Sequence, residues 1–351
     1  MIVDDSEVAR AVLSRMVAAH EDFEILATAG NAREALEALG RVSVDIILLD
    51  VEMPGASGLE ALPDIIRAGA GARVLIVSSM AEHGAETTVR ALALGAADAL
   101  PKPGIGNFAG RFSEILADRL RRIGRAEADE AVRRPVRASG PLRLRGIPEG
   151  ALGCLALGAS TGGLHALFEF LRALPGPIGA PILVTQHLPA LFMPYFARQL
   201  EAVSGRRARV AEEGEALRAD EIHLAPGDAH LCVVREAGLP RIRLDRKRAA
   251  SGCLPSVDPM LASLAAAYGR DGVGVMLSGM GRDGLQGSRR LVECGGVMLA
   301  QDRPSAVVWG MPRVVAEAGL ASAVLPPAEL ARLVAAHAAP SPHEGEVPAW
   351  K

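Results

Sequence analysis

The stretch Leu155-Ala156-Leu157-Gly158-Ala159-Ser160-Thr161-Gly162-Gly163 decides how the second half of the chain is read. Its apolar run reads as a buried strand and its glycines as a tight turn. A helical stripe follows at Leu164, Leu167, Phe168 and Leu171. A serine on such a turn lies beside the free amides of a helix N-terminus. It becomes a nucleophile when a histidine takes its proton and amides receive the oxyanion. With such a histidine, and an acid to orient it, the second half would be a serine hydrolase.

The same alternation extends outward from this turn. Cys154–Leu157, Ile182–Thr185, Val273–Leu277 and Val297–Ala300 read as buried strands. Further helical stripes lie at Leu261, Leu264 and Ala265, and at Leu330, Leu333 and Val334. Within residues 220–246, Ile222–Gly227 and Leu231–Val234 read as a hairpin, followed by Arg241–Leu244. The alternation predicts a parallel, doubly wound sheet with its site at the strand C-termini. His187, in Thr185-Gln186-His187-Leu188-Pro189, ends the strand after the serine turn. Asp283 lies in a glycine-rich turn behind another strand, Ser278-Gly279-Met280-Gly281-Arg282-Asp283-Gly284.

Ser160, His187 and Asp283 therefore form a candidate triad. Each also has a plain structural reading: Ser160 as a helix N-cap, His187 as a turn residue, Asp283 as the cap of a helix near Gly284. The order Ser, His, Asp differs from the Ser, Asp, His order of α/β-hydrolases, so the Gly-x-Ser-x-Gly spacing does not place the chain among them. A dinucleotide-phosphate turn would want an acid about twenty residues onward, where His187 stands instead. His187, His223 and His230 lack the spacing of a zinc site.

From Met1 to about Arg122 a second α/β pattern runs. Ile2-Val3, Glu24–Ala27, Asp45–Leu49, Arg73–Val77 and Ala97–Leu100 read as short buried strands. Ala9, Val12, Leu13, Met16 and Val17 share one helical face, and Leu59, Leu62, Ile65 and Ile66 another. Five such units predict a second doubly wound parallel sheet. Its strand ends carry Asp4 and Asp5, then Asp50 ahead of Val51-Glu52-Met53-Pro54-Gly55, then Ser78, then Lys102. Three carboxylates on one sheet edge repel one another unless a cation is present, and an all-oxygen ligand set suits Mg²⁺. Lys102 supplies a point charge for an added phosphate, and Ser78 a hydroxyl that can hydrogen-bond to it. The chemistry suggested is phosphoryl transfer to Asp50, although Asp50 taken alone could be a turn or cap residue.

The 351 residues suit two domains. The boundaries expected are a first domain over 1–122, a linker over 123–148, a second domain over 149–338 and a disordered tail over 339–351. The linker is rich in proline and arginine, as in a solvated tether or a basic segment touching a partner. A net charge of −3 provides no basic field for nucleic acid, and 3% aromatic residues leave few stacking platforms. The four cysteines form no CxxC pair and read as reduced thiols of a cytoplasmic protein. No apolar run or N-terminal signal pattern points to direct membrane insertion.

The first half resembles the receiver domain of two-component response regulators, on Asp-Asp, Asp-x-x-Met-Pro-Gly, Val-Ser and Lys-Pro in order. The resemblance implies that Asp50 is the phosphoacceptor, that Asp4, Asp5 and Asp50 hold Mg²⁺, that Ser78 is the switch hydroxyl and that Lys102 pairs with the phosphate. Only Met1-Ile2-Val3 precede the aspartate pair, fewer than receivers usually carry. The first strand is therefore expected to be short, as a misplaced start or a trimmed chain would make it.

The second half resembles the catalytic domain of chemotaxis protein-glutamate methylesterases, the CheB family. The matching segments are Gly-Ala-Ser-Thr-Gly-Gly, Gln-His-Leu-Pro, Leu-Ala-Pro-Gly, Pro-Ser-Val-Asp and Ser-Gly-Met-Gly-x-Asp-Gly, in order. The resemblance implies Ser160 as nucleophile, His187 as general base and Asp283 as orienting acid. It implies Met280 as an oxyanion donor through its amide, and Thr161 as support through its amide or hydroxyl. It further implies hydrolysis of glutamate methyl esters on the cytoplasmic helices of chemoreceptors, with deamidation of receptor glutamines. The esterase chemistry is expected to need no cofactor. A chemotaxis histidine kinase is the expected phosphodonor, and the unphosphorylated receiver is expected to cover the catalytic face. Two other outputs stay open: a binding output such as a transcription factor, and an inactive adaptor docking on receptors or the kinase.

Overall fold

The computed structural model of the chain describes residues 1–53, 58–78, 82–102, 109–131, 142–147 and 151–338. The expected tail, 339–351, and much of the expected linker lie outside the described residues.

The first domain alternates β1 (Ile2–Val3), α1 (Glu7–Ala18), β2 (Thr28–Ala29), α2 (Ala32–Leu39), β3 (Ile46–Leu49), α3 (Gly58–Ala68), β4 (Arg73–Ser78), α4 (Glu82–Ala93), β5 (Asp98–Pro101) and α5 (Ala109–Ala131). Its five strands run in the order β2-β1-β3-β4-β5, all parallel. β3 and β4 are apolar because helices cover both sheet faces, as parallel connections require. β1 is only two residues long. The strand expected at Glu24–Ala27 pairs later, as Thr28 and Ala29 against Ile2 and Val3. Short β1 starts the ladder, and the Ile2 amide reaches back to the Ala27 carbonyl at 3.1 Å. Leu13 and Val17 bury the face of α1, whereas Val12, expected with them, is exposed. α5 continues past residue 122 because alanine, arginine and glutamate follow, and no proline stands before Pro135.

The second domain contains β6 (Cys154–Ala159), α6 (Gly163–Ala173), β7 (Ile182–Gln186), a 3₁₀ turn (Ala190–Phe192), α7 (Met193–Ser204), β8 (Ala208–Val210), β9 (Ile222–Leu224), β10 (His230–Glu236), β11 (Leu239–Asp245), α8 (Val257–Tyr268), β12 (Gly272–Met276), α9 (Leu285–Glu293), β13 (Val297–Gln301), α10 (Met311–Glu317), β14 (Ala323–Leu325) and α11 (Pro327–Ala338). Seven strands form one parallel sheet in the order β14-β13-β12-β6-β7-β9-β8. The hairpin is β10 with β11, in register His230 to Asp245. Ile222–Leu224, expected as one arm of a hairpin, instead pairs in parallel between β7 and β8. A run of three apolar-flanked residues fits either pairing, and burial on both faces decides it. β8 and β14 are three-residue strands at the sheet edges and carry too short a pattern to be read.

The position of β6 builds the site. Its neighbours are β7 on one side and β12 on the other, so chain order reverses there, which is where open α/β sheets bind ligands. The turns that follow these three adjacent strands carry Ser160, His187 and Asp283.

The two domains pack together. α4 of the first lies against α6, α7 and the 3₁₀ turn of the second. The Gly162 amide donates to the Ala97 carbonyl at 2.8 Å, and Val307 packs on the first domain's core. Residues 142–147 run along the second domain, where the Arg145 amide donates to Ala321 at 3.0 Å.

Candidate active site and phosphoacceptor site

β6 ends where Gly162 adopts φ +72° and caps α6. A side chain there would be strained and would also collide, since a Cβ would lie 2.3 Å from that of Val307. The turn is stitched to the next one. The Ser160 amide donates to the Ser278 carbonyl at 3.0 Å, and the Ser278 hydroxyl donates to the Thr161 carbonyl at 2.9 Å. Gly279 backs the serine so closely that a Cβ on it would come 2.9 Å from that of Ser160. Gln186 donates from Nε2 to the Ser160 carbonyl at 2.9 Å, which ties the serine turn to β7.

Ser160, His187 and Asp283 come together in one line. Ser160 Oγ lies 3.0 Å from His187 Nδ1, and His187 Nε2 lies 2.8 Å from Asp283 Oδ2. With Asp283 ionised, Nε2 carries the ring proton and Nδ1 offers its lone pair to the serine hydroxyl. The ring therefore faces the serine with Nδ1, the reverse of the serine-protease template, where Nε2 does so.

Asp283 is 3% exposed and heavily supported. Ser256 donates from Oγ to its Oδ1 at 2.6 Å, and the Val257 amide donates to Oδ2 at 2.7 Å. Both groups belong to the N-terminus of α8, whose dipole favours an anion. Burial would raise the carboxyl, but the hydrogen bonds and charge of His187, with those of Ser256 and Val257, pull it down to about 2. Ser256 has a second partner: its amide donates to His230 Nδ1 at 2.9 Å.

Met280 follows Gly279 in the turn beside Ser160, and no hydrogen bond among the described residues uses its amide. The Thr161 hydroxyl donates to Asp98 of the first domain at 3.4 Å, so it faces that domain and not His187. A cleft of about 700 Å³ opens beside the triad, between Asp118 and Arg121 of α5 and Cys253, Met280, Arg282 and Asp283.

The second constellation forms at the C-terminal edge of the first sheet. Carboxylate oxygens of Asp4, Asp5 and Asp50 lie within 4.8 Å of one another. Asp4 and Asp50 are buried and Asp5 is exposed. Lys102 Nζ lies 2.9 Å from Asp4 Oδ2 and 2.6 Å from Asp50 Oδ2. Burial raises the Asp50 carboxyl above its ordinary value despite Lys102. Burial opposes the Lys102 ammonium, yet Asp50 and Asp4 hold its pKa above the usual lysine range. Hard oxygen donors, two of them buried and one open to solvent, fit a Mg²⁺ ion that keeps part of its water shell. Ser78 is buried, and its hydroxyl lies 2.6 Å from that of Thr88 on α4.

The sequence reading did not single out Gln186, Ser256 or Thr88. Ser256 stands in the Pro-Ser-Val-Asp segment, where an N-cap serine was visible but its aspartate partner was not. Among the described residues no helix is long and apolar enough to cross a membrane.

The family described as CheB methylesterase matches residues 155–334, and response regulator receiver domain matches residues 1–107. Protein-glutamate methylesterase/protein-glutamine glutaminase 1 of Paramagnetospirillum magneticum is 39% identical over 94% of this chain and 93% of its own length. The second such protein of Caulobacter vibrioides is 40% identical over 96% of this chain and 98% of its own. The solved catalytic domain of Thermotoga maritima CheB methylesterase is 33% identical, covers 53% of this chain and 99% of its own, and superimposes with a TM-score of 0.52. A seven-stranded parallel sheet with a serine turn at its reversal point, preceded by a five-stranded sheet with an acidic edge, thus belongs to the CheB methylesterase family with an N-terminal response-regulator receiver domain.

Proposed function

We propose that the chain is a cytoplasmic, phosphorylation-activated hydrolase of glutamate methyl esters on chemoreceptor helices, and that it also deamidates receptor glutamines. The observation that carries this reading is the unbroken line from Ser160 Oγ through His187 to Asp283, with the receiver lying over its edge.

In the proposed reaction Ser160 Oγ attacks the γ-carbonyl of the ester while its proton passes to His187 Nδ1. Asp283 stabilises the imidazolium and keeps the other ring proton on Nε2. Turn amides, with Met280 first among them and the Thr161 amide beside it, receive the oxyanion. One such donor is worth about 3 kcal/mol of transition-state stabilisation. Methanol leaves with the proton from Nδ1, or ammonia does so from a glutamine. Water, deprotonated by the same nitrogen, then releases the glutamate and restores Ser160.

At the receiver, Asp50 is the proposed phosphoacceptor. Asp4, Asp5 and Asp50 would hold Mg²⁺, which supplies positive charge to phosphoryl oxygens. Lys102 would move from the bare carboxylates to the phosphoryl group, and Ser78 would exchange Thr88 for a phosphoryl oxygen. Thr88 sits on α4, the helix packed against the catalytic domain, so that exchange reaches the interface directly. The phosphodonor proposed is a chemotaxis histidine kinase.

The test is methanol release from methylated receptor membranes, with and without a small phosphodonor. Ser160→Ala should lower the rate by at least about a thousandfold, and Asp50→Ala should remove stimulation by the donor. Near wild-type release by Ser160→Ala would overturn the triad. A folded chain that releases no methanol, with or without donor, would leave it an adaptor.

A further inference from the structure

Cys253 stands between β11 and α8, in the loop that ends at Ser256. Ligand atoms of Cys253, His187 and Asp283 lie within 4.8 Å of one another. Cys253 has no part in the proposed hydrolysis, and a serine triad does not need a thiol beside its acid. Sulfur, imidazole nitrogen and carboxylate oxygen are together a donor set for zinc.

We propose that Cys253, His187 and Asp283 form an inhibitory site for a thiophilic divalent cation, Zn²⁺ in the first place, entered from the cleft beside the triad. This inference rests on the triad reading above.

The geometry needs little adjustment. Ligands about 2.0–2.3 Å from a tetrahedral zinc stand roughly 3.3–3.8 Å apart. His187 Nε2 and Asp283 Oδ2, now 2.8 Å apart, must separate slightly, while the Cys253 thiol already lies within 4.8 Å of a ligand atom of each. The ion takes the place of the proton between ring and carboxylate. The ring proton passes from Nε2 to Nδ1 and the Cys253 thiol proton leaves to solvent, one proton for each ion bound. Thiolate and carboxylate then balance the two charges of the metal, so no net charge is buried. A water completes four-fold coordination from the cleft, which Cys253 and Asp283 both line. The outer support is already built: Ser256 Oγ and the Val257 amide hold the carboxylate at 2.6 and 2.7 Å.

The inhibition follows from the tautomer. With the metal on Nε2, the neutral ring carries its proton on Nδ1, the nitrogen facing Ser160 at 3.0 Å. Nδ1 then donates to the serine and cannot accept its proton. The base is lost while the fold stays intact. Mg²⁺ does not compete, because it avoids thiolate and prefers the all-oxygen edge of the receiver.

The experiment uses the full chain with millimolar Mg²⁺ present throughout, so that the receiver site is occupied. Wild type, Cys253→Ala and Cys253→Ser are each titrated with ZnCl₂ while methanol release is followed, and each is referred to its own metal-free rate. The same proteins are titrated with Co²⁺ and read by the cobalt–thiolate absorption band. Wild type should be inhibited reversibly, with recovery on chelation, and should develop the band. Both variants should need at least about tenfold more Zn²⁺ for half-inhibition and should lose the band, since even an outer partner is commonly worth that much affinity. Equal zinc sensitivity and an unchanged band in the variants would overturn the site, as would a wild type showing neither effect. A Cys253-dependent cobalt band in a chain that never releases methanol would sustain the metal site and sink the esterase reading instead.

Discussion

Replacing Ser256 by alanine separates how the acid of the proposed triad is held from whether it is present. Ser256 is fully buried and donates to Asp283 Oδ1 at 2.6 Å. A hydrogen bond to a buried charged group contributes about 1.5–3 kcal/mol. The same hydroxyl caps α8 through the Asp258 amide, and losing a cap costs about 1 kcal/mol more. Stability should therefore fall by about 2.5–4 kcal/mol. The Val257 amide and His187 remain on Oδ2, so Asp283 stays ionised at neutral pH, but its carboxyl rises from about 2 toward the ordinary range. Freed on one side, the carboxylate orients the ring less well. A loss of about 1.4 kcal/mol in the transition state is tenfold in rate. Ser256 is buried away from substrate, so KM should hold while kcat falls about tenfold. Urea unfolding measures the first quantity and methanol-release kinetics the second. An unfolding free energy within about 0.5 kcal/mol of wild type, with kcat unchanged, would refute the reasoning.

Gly162→Ala should unfold more readily and lose most activity, because φ +72° and a Cβ 2.3 Å from that of Val307 leave no room for a side chain; thermal unfolding and methanol release check both. Thr88→Val keeps the shape but takes away the partner of Ser78, so half-maximal activation should need less small phosphodonor, read from a donor titration of the esterase rate. Asp283 makes stability depend on acid. Its folded pKa of about 2 lies below the ordinary 3.8, so its contribution of about 2 kcal/mol is complete above pH 4 and is lost as pH falls to 2. Urea midpoints of wild type and Asp283→Asn should therefore converge across that window, and a gap that stays constant down to pH 2 would contradict the shift.

Much of the architecture was legible because it is written in local periods. The stripe Leu164, Leu167, Phe168 and Leu171 is buried on α6, and the apolar run at Arg73–Val77 is β4, since period and burial are the same fact seen twice. The readings that shifted were those in which pairing partners, not period, set the outcome. Glu24–Ala27 gave way to Thr28–Ala29 because β1 is short, and Ile222–Leu224 joined the parallel sheet because β7 and β8 flank it.

The chain by itself determined the parts of the site: a serine on a strand-to-helix turn, a histidine and an aspartate behind later strands, and an acidic edge with a lysine. These follow from local chemistry, since glycine turns and strand ends are set by their own residues. Only the tertiary structure decided that β7 and β12 flank β6, and hence that His187 turns Nδ1 to Ser160 and Nε2 to Asp283. It alone brought Ser256 and Cys253 to groups far away in sequence and set Thr88 of α4 against Ser78 of β4. Such contacts depend on strand order and on packing between layers, which no local pattern encodes, because a side chain's partner across the fold is fixed by where two elements meet.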